Sequence, residues 1–322
     1  MNVLLHLSPE ILARVFAPAD LQRLEKKHNL LYRDSLNRIA DVEVLITGWS
    51  TPALDDAFFD SAKKLKLVAH SAGSTRYLVP KSFWSRDIRL CSANEALGIG
   101  VAETTLAMMI AGLKAFFPCS ELTREGRWKH EGLPWPVREM YHIDIGIIGA
   151  SKIGRHLIRL LKQFEVNVLL TDPHVTQEEA HELDVELLPL DELMRRSDVV
   201  TLHAPALEST RKMLGPAQFK LMKRYAIFIN TARGMIVDEE ALVAELKTGR
   251  IYAFIDVTDP EPPRPDHPFR KLPNCVLLPH IAGAISNGCL RQGRSIVDQI
   301  FEFMDGKTTH GEITREHFEI MA

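Results

Sequence analysis

Cysteine is scarce in this chain, and its spacing predicts neither a disulfide framework nor a metal centre. The four cysteines are Cys91, Cys119, Cys275 and Cys289; none forms a CxxC pair or has a histidine at zinc-site spacing. A chain of 322 residues with 46% hydrophobic residues can form a large core without such cross-links. We therefore expect reduced thiols, no metal site and a cytoplasmic protein.

Long hydrophobic runs and an excess of positive charge are also missing. The longest uncharged apolar run lies between Glu103 and Lys114, which is shorter than the roughly 20 residues that cross a bilayer. The N-terminal segment MNVLLHLSPEILARVF lacks the basic region and cleavage site of a signal peptide. The formal net charge is -3, whereas nucleic-acid-binding proteins usually have a basic face. We expect no membrane segment and no nucleic-acid partner, while small anionic substrates remain possible.

Short apolar runs alternate with helical patterns along the chain, and no internal repeat interrupts them. This alternation predicts an α/β fold of two doubly wound parallel-sheet domains. We expect a flavodoxin-like substrate domain from residues 1–98 and 297–322, and a Rossmann dinucleotide-binding domain from residues 99–296. The predicted strands are 3–7, 44–47, 67–70, 88–91, 143–148, 166–171, 199–203, 226–230, 252–256 and 276–278. The predicted helices include 19–27, 55–64, 101–117, 155–164 and 287–304, with a loop at 124–138.

A glycine-rich turn follows the predicted strand 143–148. Its run Gly149-Ala150-Ser151-Lys152-Ile153-Gly154 fits the dinucleotide fingerprint G-x-G-x-x-G, except that Ser151 takes the middle position. Gly149 would form the tight turn, Gly154 would allow close helix packing, and the Ser151 hydroxyl could face a phosphate at the helix N-terminus. Taken alone, the run could be an ordinary β–α turn. Asp172, which ends the next strand, could bind ribose hydroxyls and would repel a 2′-phosphate, so the combination predicts NAD rather than NADP.

Three polar residues follow later strands: Arg233, Glu261 and His280. Each alone would more often be a surface or structural residue. Together they lie beyond the carboxyl ends of predicted parallel strands, where ligands bind in open α/β sheets. An arginine fork can bind a carboxylate and polarise a carbonyl. A histidine can exchange a proton with an alcohol oxygen, and a neighbouring glutamate favours its protonated form. This set suits the reduction of a 2-keto acid by a nicotinamide.

The combined motifs resemble the D-isomer-specific 2-hydroxyacid dehydrogenase family. The resemblance covers residues 146–294 and places Arg233, Glu261 in a D-V-x-x-x-E-P context and His280 in a P-H-I context as catalytic residues. The first domain is similar more loosely, through the turn Ser71-Ala72-Gly73-Ser74, which is similar to a turn that binds the substrate carboxylate. Substrate contacts are thereby implied at Ala72, Gly73, Arg233 and His280. Cofactor contacts are expected at Gly149, Ser151, Lys152, Ile153, Gly154, Asp172, Ala204, Pro205, Thr231, Ala232, Asp256 and Gly283.

The resemblance implies hydride transfer between NAD(H) and C2 of a small D-2-hydroxy or 2-keto acid, with glyoxylate and hydroxypyruvate as candidates. It also implies a homodimer formed through the cofactor domains, in which Trp128 and Trp135 are either subunit contacts or core filler. One alternative is a phosphoglycerate dehydrogenase, although we expect no C-terminal regulatory domain. Another is an NAD-sensing binding protein of the corepressor type. The other twelve histidines are expected to be structural or surface residues, and Arg76 is a candidate contact for an anionic substrate tail.

Overall fold

The computed structural model describes residues 1–128, 132–133 and 135–320, and the chain divides into two compact units. Unit 1 comprises Met1–Gly100 and Ala284–Ala322, and unit 2 comprises Val101–Gly283. The expected boundary at 296/297 would cut the helix Gly288–Met304, whereas the division leaves that whole helix in unit 1. Positions 129–131 and 134 of the predicted loop lie outside the described residues.

Unit 1 is built on a parallel sheet with one antiparallel edge. The strand order is β13-β5-β4-β3-β1-β2, the flavodoxin-like order that the sequence predicts. The strands are β1 Asn2–Leu5, β2 Asn29–Tyr32, β3 Val44–Thr47, β4 Leu67–His70, β5 Arg89–Ser92 and β13 Glu312–Ile313. The helices are α1 Pro9–Val15, α2 Pro18–Glu25, α3 Asp56–Ser61, α11 Gly288–Met304 and α12 Arg315–Ile320.

Alternating side chains explain why the strands of unit 1 are continuous apolar runs. Val3, Leu5 and Ile46 belong to one buried cluster, and Leu4 and Leu45 belong to another. Successive side chains in a strand point to opposite faces, so a sheet covered on both faces requires apolar residues at every position.

Unit 2 has a parallel sheet of strand order β12-β11-β10-β9-β6-β7-β8. Its strands are β6 Tyr141–Ile148, β7 Glu165–Thr171, β8 Glu186–Leu187, β9 Val199–Leu202, β10 Ile227–Asn230, β11 Tyr252–Ile255 and β12 Cys275–Leu277. The chain passes from β6 to β7 on one side and returns through β9 on the other side of β6. This is the Rossmann order, and the reversal between β6 and β9 creates the crevice where such sheets bind ligands.

The helices of unit 2 follow α4, Asn94–Leu113, which begins in unit 1 and differs most from the prediction. Helix α4 begins seven residues before the predicted start at residue 101 and ends before Ala115, whose φ of 48° separates it from α5, Phe116–Arg124. Gly98 and Gly100 are poor helix formers, which hid this earlier start. The other helices are α6 Lys152–Leu161, α7 Gln177–Leu183, α8 Leu190–Arg196, α9 Pro216–Leu221 and α10 Glu239–Lys247.

By length and composition alone, α4 is the one helix in the described part of the chain that could cross a membrane. The same test is passed by core helices. Met109 and Leu113 of α4 are buried in an apolar cluster with Ile145 and Ile229 of the unit 2 sheet.

Helix α11 provides a test of the packing in unit 1. A Cβ at Gly293 would collide with the backbone of Val15 and Phe16, whereas a Cβ at Gly288 would find only ordinary contact with Ala284. We expect Gly293→Ala to lower the free energy of unfolding by about 1–3 kcal/mol, because overpacking forces backbone shifts. Gly288→Ala on the same helix is the matched control. Chemical denaturation measures both, and equal stability of the two variants would contradict this packing.

Candidate active site

The aligned register of four parallel strands creates one edge for the site in unit 2. Ile148 at the end of β6 pairs with Leu202 of β9, Leu202 with Asn230 of β10, and Asn230 with Ile255 of β11. The residues that follow these strands therefore come out along the same sheet edge. They are Gly149, His203, Thr231 and Asp256, so the predicted cofactor and catalytic segments of this unit meet there.

The turn after β6 requires glycine at two positions. Gly149 has a φ of 94°, and a Cβ there would lie 2.7 Å from the amide nitrogen of Ala204. A Cβ at Gly154 would collide with the carbonyl oxygen of Gly149. The turn therefore packs directly against the end of β9 while α6 approaches it closely. These are the roles that the sequence predicts for Gly149 and Gly154.

The start of α6 fits the phosphates of a dinucleotide. Ser151 is the N-cap residue, and its hydroxyl makes no capping hydrogen bond. Lys152, Ile153 and Gly154 form the first turn, where backbone amides lack partners within the helix. The hydroxyl and these amides suit a pyrophosphate, which the helix dipole also favours.

Asp172 lies where a ribose would be expected. Its Oδ2 accepts a hydrogen bond from the Ala150 amide at 2.8 Å, and its Oδ1 accepts one from the His174 amide at 2.8 Å. Each carboxylate oxygen can accept a second bond, so the ribose hydroxyls still have acceptors. The bond from Ala150 also ties the glycine turn to the end of β7. The glycine turn, α6 and Asp172 together fit a dinucleotide without a 2′-phosphate.

The predicted acid–base pair is in contact. His280 Nδ1 lies 2.6 Å from Glu261 Oε1, and the two side chains are 43% and 41% exposed. An ionised carboxylate only accepts hydrogen bonds, so Nδ1 is the donor. Nε2 is therefore the ring nitrogen available to exchange a proton with a substrate.

Asp256 fixes the backbone that carries His280. Its Oδ1 accepts from the Ile281 amide at 2.8 Å and its Oδ2 from the Ala282 amide at 2.9 Å. Its carbonyl accepts from the His280 amide at 2.9 Å. His280 has a φ of 54°, which is uncommon for a residue with a side chain. The expected cofactor contact of Asp256 stays a prediction; its observed contacts position the histidine.

Arg233 lies in a turn after β10 that Asn230 organises. The Asn230 side chain accepts from the Ala232 amide at 3.0 Å and donates to the Arg233 carbonyl at 3.2 Å. The Arg233 guanidinium donates to the Ala232 carbonyl at 2.7 Å. Its surroundings lower the pKa of Arg233 by burial, while the Glu261 charge raises it. The Glu261 charge therefore acts on Arg233, and the shared catalytic role of the two residues stays a prediction.

Gly234 brings the arginine turn against the segment that carries Glu261. A Cβ at Gly234 would collide with the backbone of Thr258 and Asp259. Neither Asn230 nor Gly234 was predicted as a site residue. A sequence signal for both roles is present in the run Asn230-Thr231-Ala232-Arg233-Gly234. An amide side chain that can organise a turn precedes the arginine, and a glycine that permits close packing follows it.

The remaining predicted residues are less informative. Thr231 and Ala232 are buried, and the Thr231 hydroxyl lies 3.2 Å from that of Thr105. Ala204, Pro205 and Gly283 are partly exposed. His203 is structural: burial lowers its pKa to about 3, and its Nε2 lies 3.0 Å from the Thr201 hydroxyl.

The predicted substrate turn lies in unit 1, directly after β4. Ala72 is buried, and Gly73 is partly exposed beside Asn94 and Leu97. Their contact with a substrate carboxylate stays a prediction. Arg76 donates to the carbonyl of Glu319 at 2.5 Å, so α12 engages the guanidinium that we considered for a substrate tail.

Comparisons with known proteins agree with this geometry. Residues 106–282 match the profile of the domain described as "D-isomer specific 2-hydroxyacid dehydrogenase, NAD binding domain". A glyoxylate reductase of Korarchaeum cryptofilum is 32% identical over 87% of this chain and 85% of its own length. A D-3-phosphoglycerate dehydrogenase of Methanocaldococcus jannaschii is 30% identical over 89% of this chain but 55% of its own length. A solved phosphoglycerate oxidoreductase of Rhizobium etli shares the fold, with a TM-score of 0.86, 23% identity and 98% coverage of both chains.

Asp172 generates a prediction about cofactor choice. We expect kcat/KM for NADH to exceed that for NADPH by more than about tenfold, because the carboxylate repels a 2′-phosphate. Asp172→Asn keeps the size and an acceptor oxygen but removes the charge, so the ratio should fall. Asp184→Asn, a matched loss of charge on the loop after α7, should leave the ratio unchanged. Equal efficiency with both cofactors in the unmodified protein would exclude this role of Asp172.

Proposed function

Because this chain belongs to the D-isomer specific 2-hydroxyacid dehydrogenase family, and is therefore an NAD-linked oxidoreductase acting at C2 of a 2-hydroxy or 2-keto acid, we propose that it reduces glyoxylate or hydroxypyruvate. The observation that carries the proposed reaction is the 2.6 Å contact between His280 Nδ1 and Glu261 Oε1, on a segment whose Thr258–Asp259 backbone packs against Gly234, the neighbour of Arg233. The name of the Korarchaeum cryptofilum relative supports glyoxylate.

Arg233 is proposed to bind and orient the substrate. A planar guanidinium can donate two parallel hydrogen bonds to a carboxylate, which fixes the adjacent C2 carbonyl. Its positive charge also stabilises negative charge that develops on the carbonyl oxygen during reduction. Burial of Arg233 strengthens both the hydrogen bonds and the charge stabilisation, because electrostatic interactions increase as water is displaced. Ala72 and Gly73 of unit 1 stay proposed substrate contacts.

His280 is proposed to transfer the proton. During reduction, Nε2 gives its proton to the C2 oxygen; during oxidation, neutral Nε2 removes the hydroxyl proton. Glu261 stabilises the protonated ring through Nδ1 and holds the ring orientation. Bound NAD supplies the hydride-transfer chemistry. Residues Gly149 to Gly154 and Asp172 hold and orient that cofactor, with Ala204, Pro205, Thr231, Ala232 and Gly283 along the same sheet edge.

A homodimer is also proposed. Unit 2 exposes several large apolar side chains: Phe116, Phe117, Trp128 and Tyr141, of which Trp128 is 88% exposed. Exposed apolar groups of this size often lie in interfaces. Trp135 instead packs on Tyr252 with ring centroids 5.4 Å apart, which fits core filler. Four free cysteines support a cytoplasmic location.

A substrate panel tests the proposal. Steady-state rates with NADH should be measured for glyoxylate, hydroxypyruvate, pyruvate and 3-phosphohydroxypyruvate, the last because of the phosphoglycerate dehydrogenase relative. We expect turnover with glyoxylate or hydroxypyruvate. His280→Gln should lower kcat by at least about 100-fold, because a positioned acid–base group contributes that much.

NADH affinity serves as the control for this variant. Fluorescence titration should give the same Kd for His280→Gln and the unmodified protein. Tight NADH binding without turnover of any keto acid would contradict the proposed reaction and favour an NAD-sensing binding protein. Turnover restricted to 3-phosphohydroxypyruvate would identify a phosphoglycerate dehydrogenase instead.

A further inference from the structure

A second carboxylate–histidine pair lies beside the segment that carries Glu261. Glu239 is the first residue of α10, and His267 precedes the short 3-10 turn Pro268–Arg270. His267 Nε2 lies 3.2 Å from Glu239 Oε2, and both side chains are only 13% exposed. Neither residue belongs to the proposed chemistry, and burying such a pair requires well-made hydrogen bonds.

The contacts of His267 identify its protonated nitrogen. Its Nδ1 accepts a hydrogen bond from the Phe269 amide at 3.3 Å, so Nδ1 carries no proton. Nε2 must then carry the proton of the neutral ring and donate it to Glu239. The other oxygen of Glu239, Oε1, accepts from the Asp259 amide at 2.8 Å. Glu239 therefore links His267 to the backbone two residues before Glu261.

The surrounding charges agree with this arrangement. Burial raises the pKa of Glu239 to about 7, opposed by the Asp259 amide bond and assisted by the Asp259 charge. Burial lowers the pKa of His267, as do Arg264 and Arg270, whereas Asp266 raises it. A neutral imidazole donating to a carboxylate is therefore the form expected above neutral pH. The charges of four residues shift the pKa of Glu239 or His267: Asp259, Arg264, Asp266 and Arg270. The charge of Glu239 in turn raises the pKa of Cys275.

The Glu261 segment is held from a second side. The backbone of Thr258 and Asp259 packs against Gly234, where no Cβ fits. The Thr258 hydroxyl donates to the Pro260 carbonyl at 3.0 Å. A hydrogen bond to the Asp259 amide on top of this packing leaves the segment little freedom immediately before Glu261.

We propose that Glu239 and His267 are positioning residues, which hold Asp259 and thereby place the Glu261 carboxylate against His280. The inference rests on the proposed function, because it concerns the efficiency of the proton transfer from His280. In the described contacts, Glu239 and His267 touch neither the glycine turn Gly149–Gly154 nor His280.

Two histidine variants separate this role from local packing. The amide nitrogen of glutamine can replace Nε2 of histidine, so His267→Gln can still donate to Glu239. The amide oxygen of asparagine can replace Nδ1, so His267→Asn can still accept from Phe269 but cannot reach Glu239. Glu239→Ala removes the link altogether. Melting temperatures should be recorded for all three variants, so that catalytic effects are compared among folded proteins.

The readout is the pH dependence of kcat/KM for keto-acid reduction, with deuterated NADH used to verify that hydride transfer limits the rate. Glu261→Gln is the reference: it removes the charge that favours protonated His280, so the alkaline fall in rate should move to lower pH. His267→Asn and Glu239→Ala should move it in the same direction by at least about 0.3 pH unit. His267→Gln should keep the unmodified profile. In the Glu261→Gln background, His267→Asn should cause no further shift.

The outcomes separate the two proposals. If Glu261→Gln leaves the alkaline limb in place, the proposed proton transfer itself is wrong. If Glu261→Gln moves the limb while His267→Asn and Glu239→Ala do not, only the positioning proposal is wrong. A further shift on adding His267→Asn to Glu261→Gln, or equal profiles of His267→Asn and His267→Gln, would also overturn it. A lowered melting temperature alone would not imitate the expected pattern.

Discussion

The hydrogen bonds of Asp256 to the segment 280–282 are the interaction on which the proposed chemistry depends. The carboxylate is 2% exposed and would be costly to bury without partners, and the amides of Ile281 and Ala282 supply them. His280 has a left-handed backbone that costs on the order of 1 kcal/mol for a non-glycine residue. The same bonds stabilise that conformation and keep Nδ1 within 2.6 Å of Glu261. The Glu261 contact in turn sets the tautomer, so the backbone held by Asp256 underlies both the tautomer and the direction of Nε2.

The sheet of unit 2 determines where this interaction occurs. Asp256 directly follows β11, and its neighbours along the sheet edge are the turns after β10, β9 and β6. Parallel strands in aligned register bring residues from distant parts of the sequence to that edge, each on a short turn. Gly149 and Gly234 then permit neighbouring turns to touch through their backbones. The glycine turn after β6 and the proposed catalytic groups therefore belong to one edge of the unit 2 sheet.

Much of this arrangement could be predicted from the sequence. The buried central strands are continuous apolar runs. Arg233, Glu261 and His280 follow the runs that form β10, β11 and β12, respectively. Short edge strands were missed: β2, β8 and β13 contain two to four residues and lack a distinctive pattern. The structural role of Asp256 could not be predicted, because its partners are backbone amides. Glu239 and His267 gave no local signal either. An acid at the start of a helix is ordinary, and the two residues meet only through the fold.

The most direct test of the account is the protonation of the neutral His280 ring. The ¹⁵N chemical shifts of its two ring nitrogens distinguish the tautomers, and the resonances can be assigned by their loss in His280→Gln. For the neutral ring, we expect that the proton resides on Nδ1, which donates to Glu261, and that Nε2 is unprotonated. A neutral ring protonated at Nε2 would contradict this assignment. Nδ1 would then have no proton to donate to Glu261, and Nε2 could not accept a proton from the substrate.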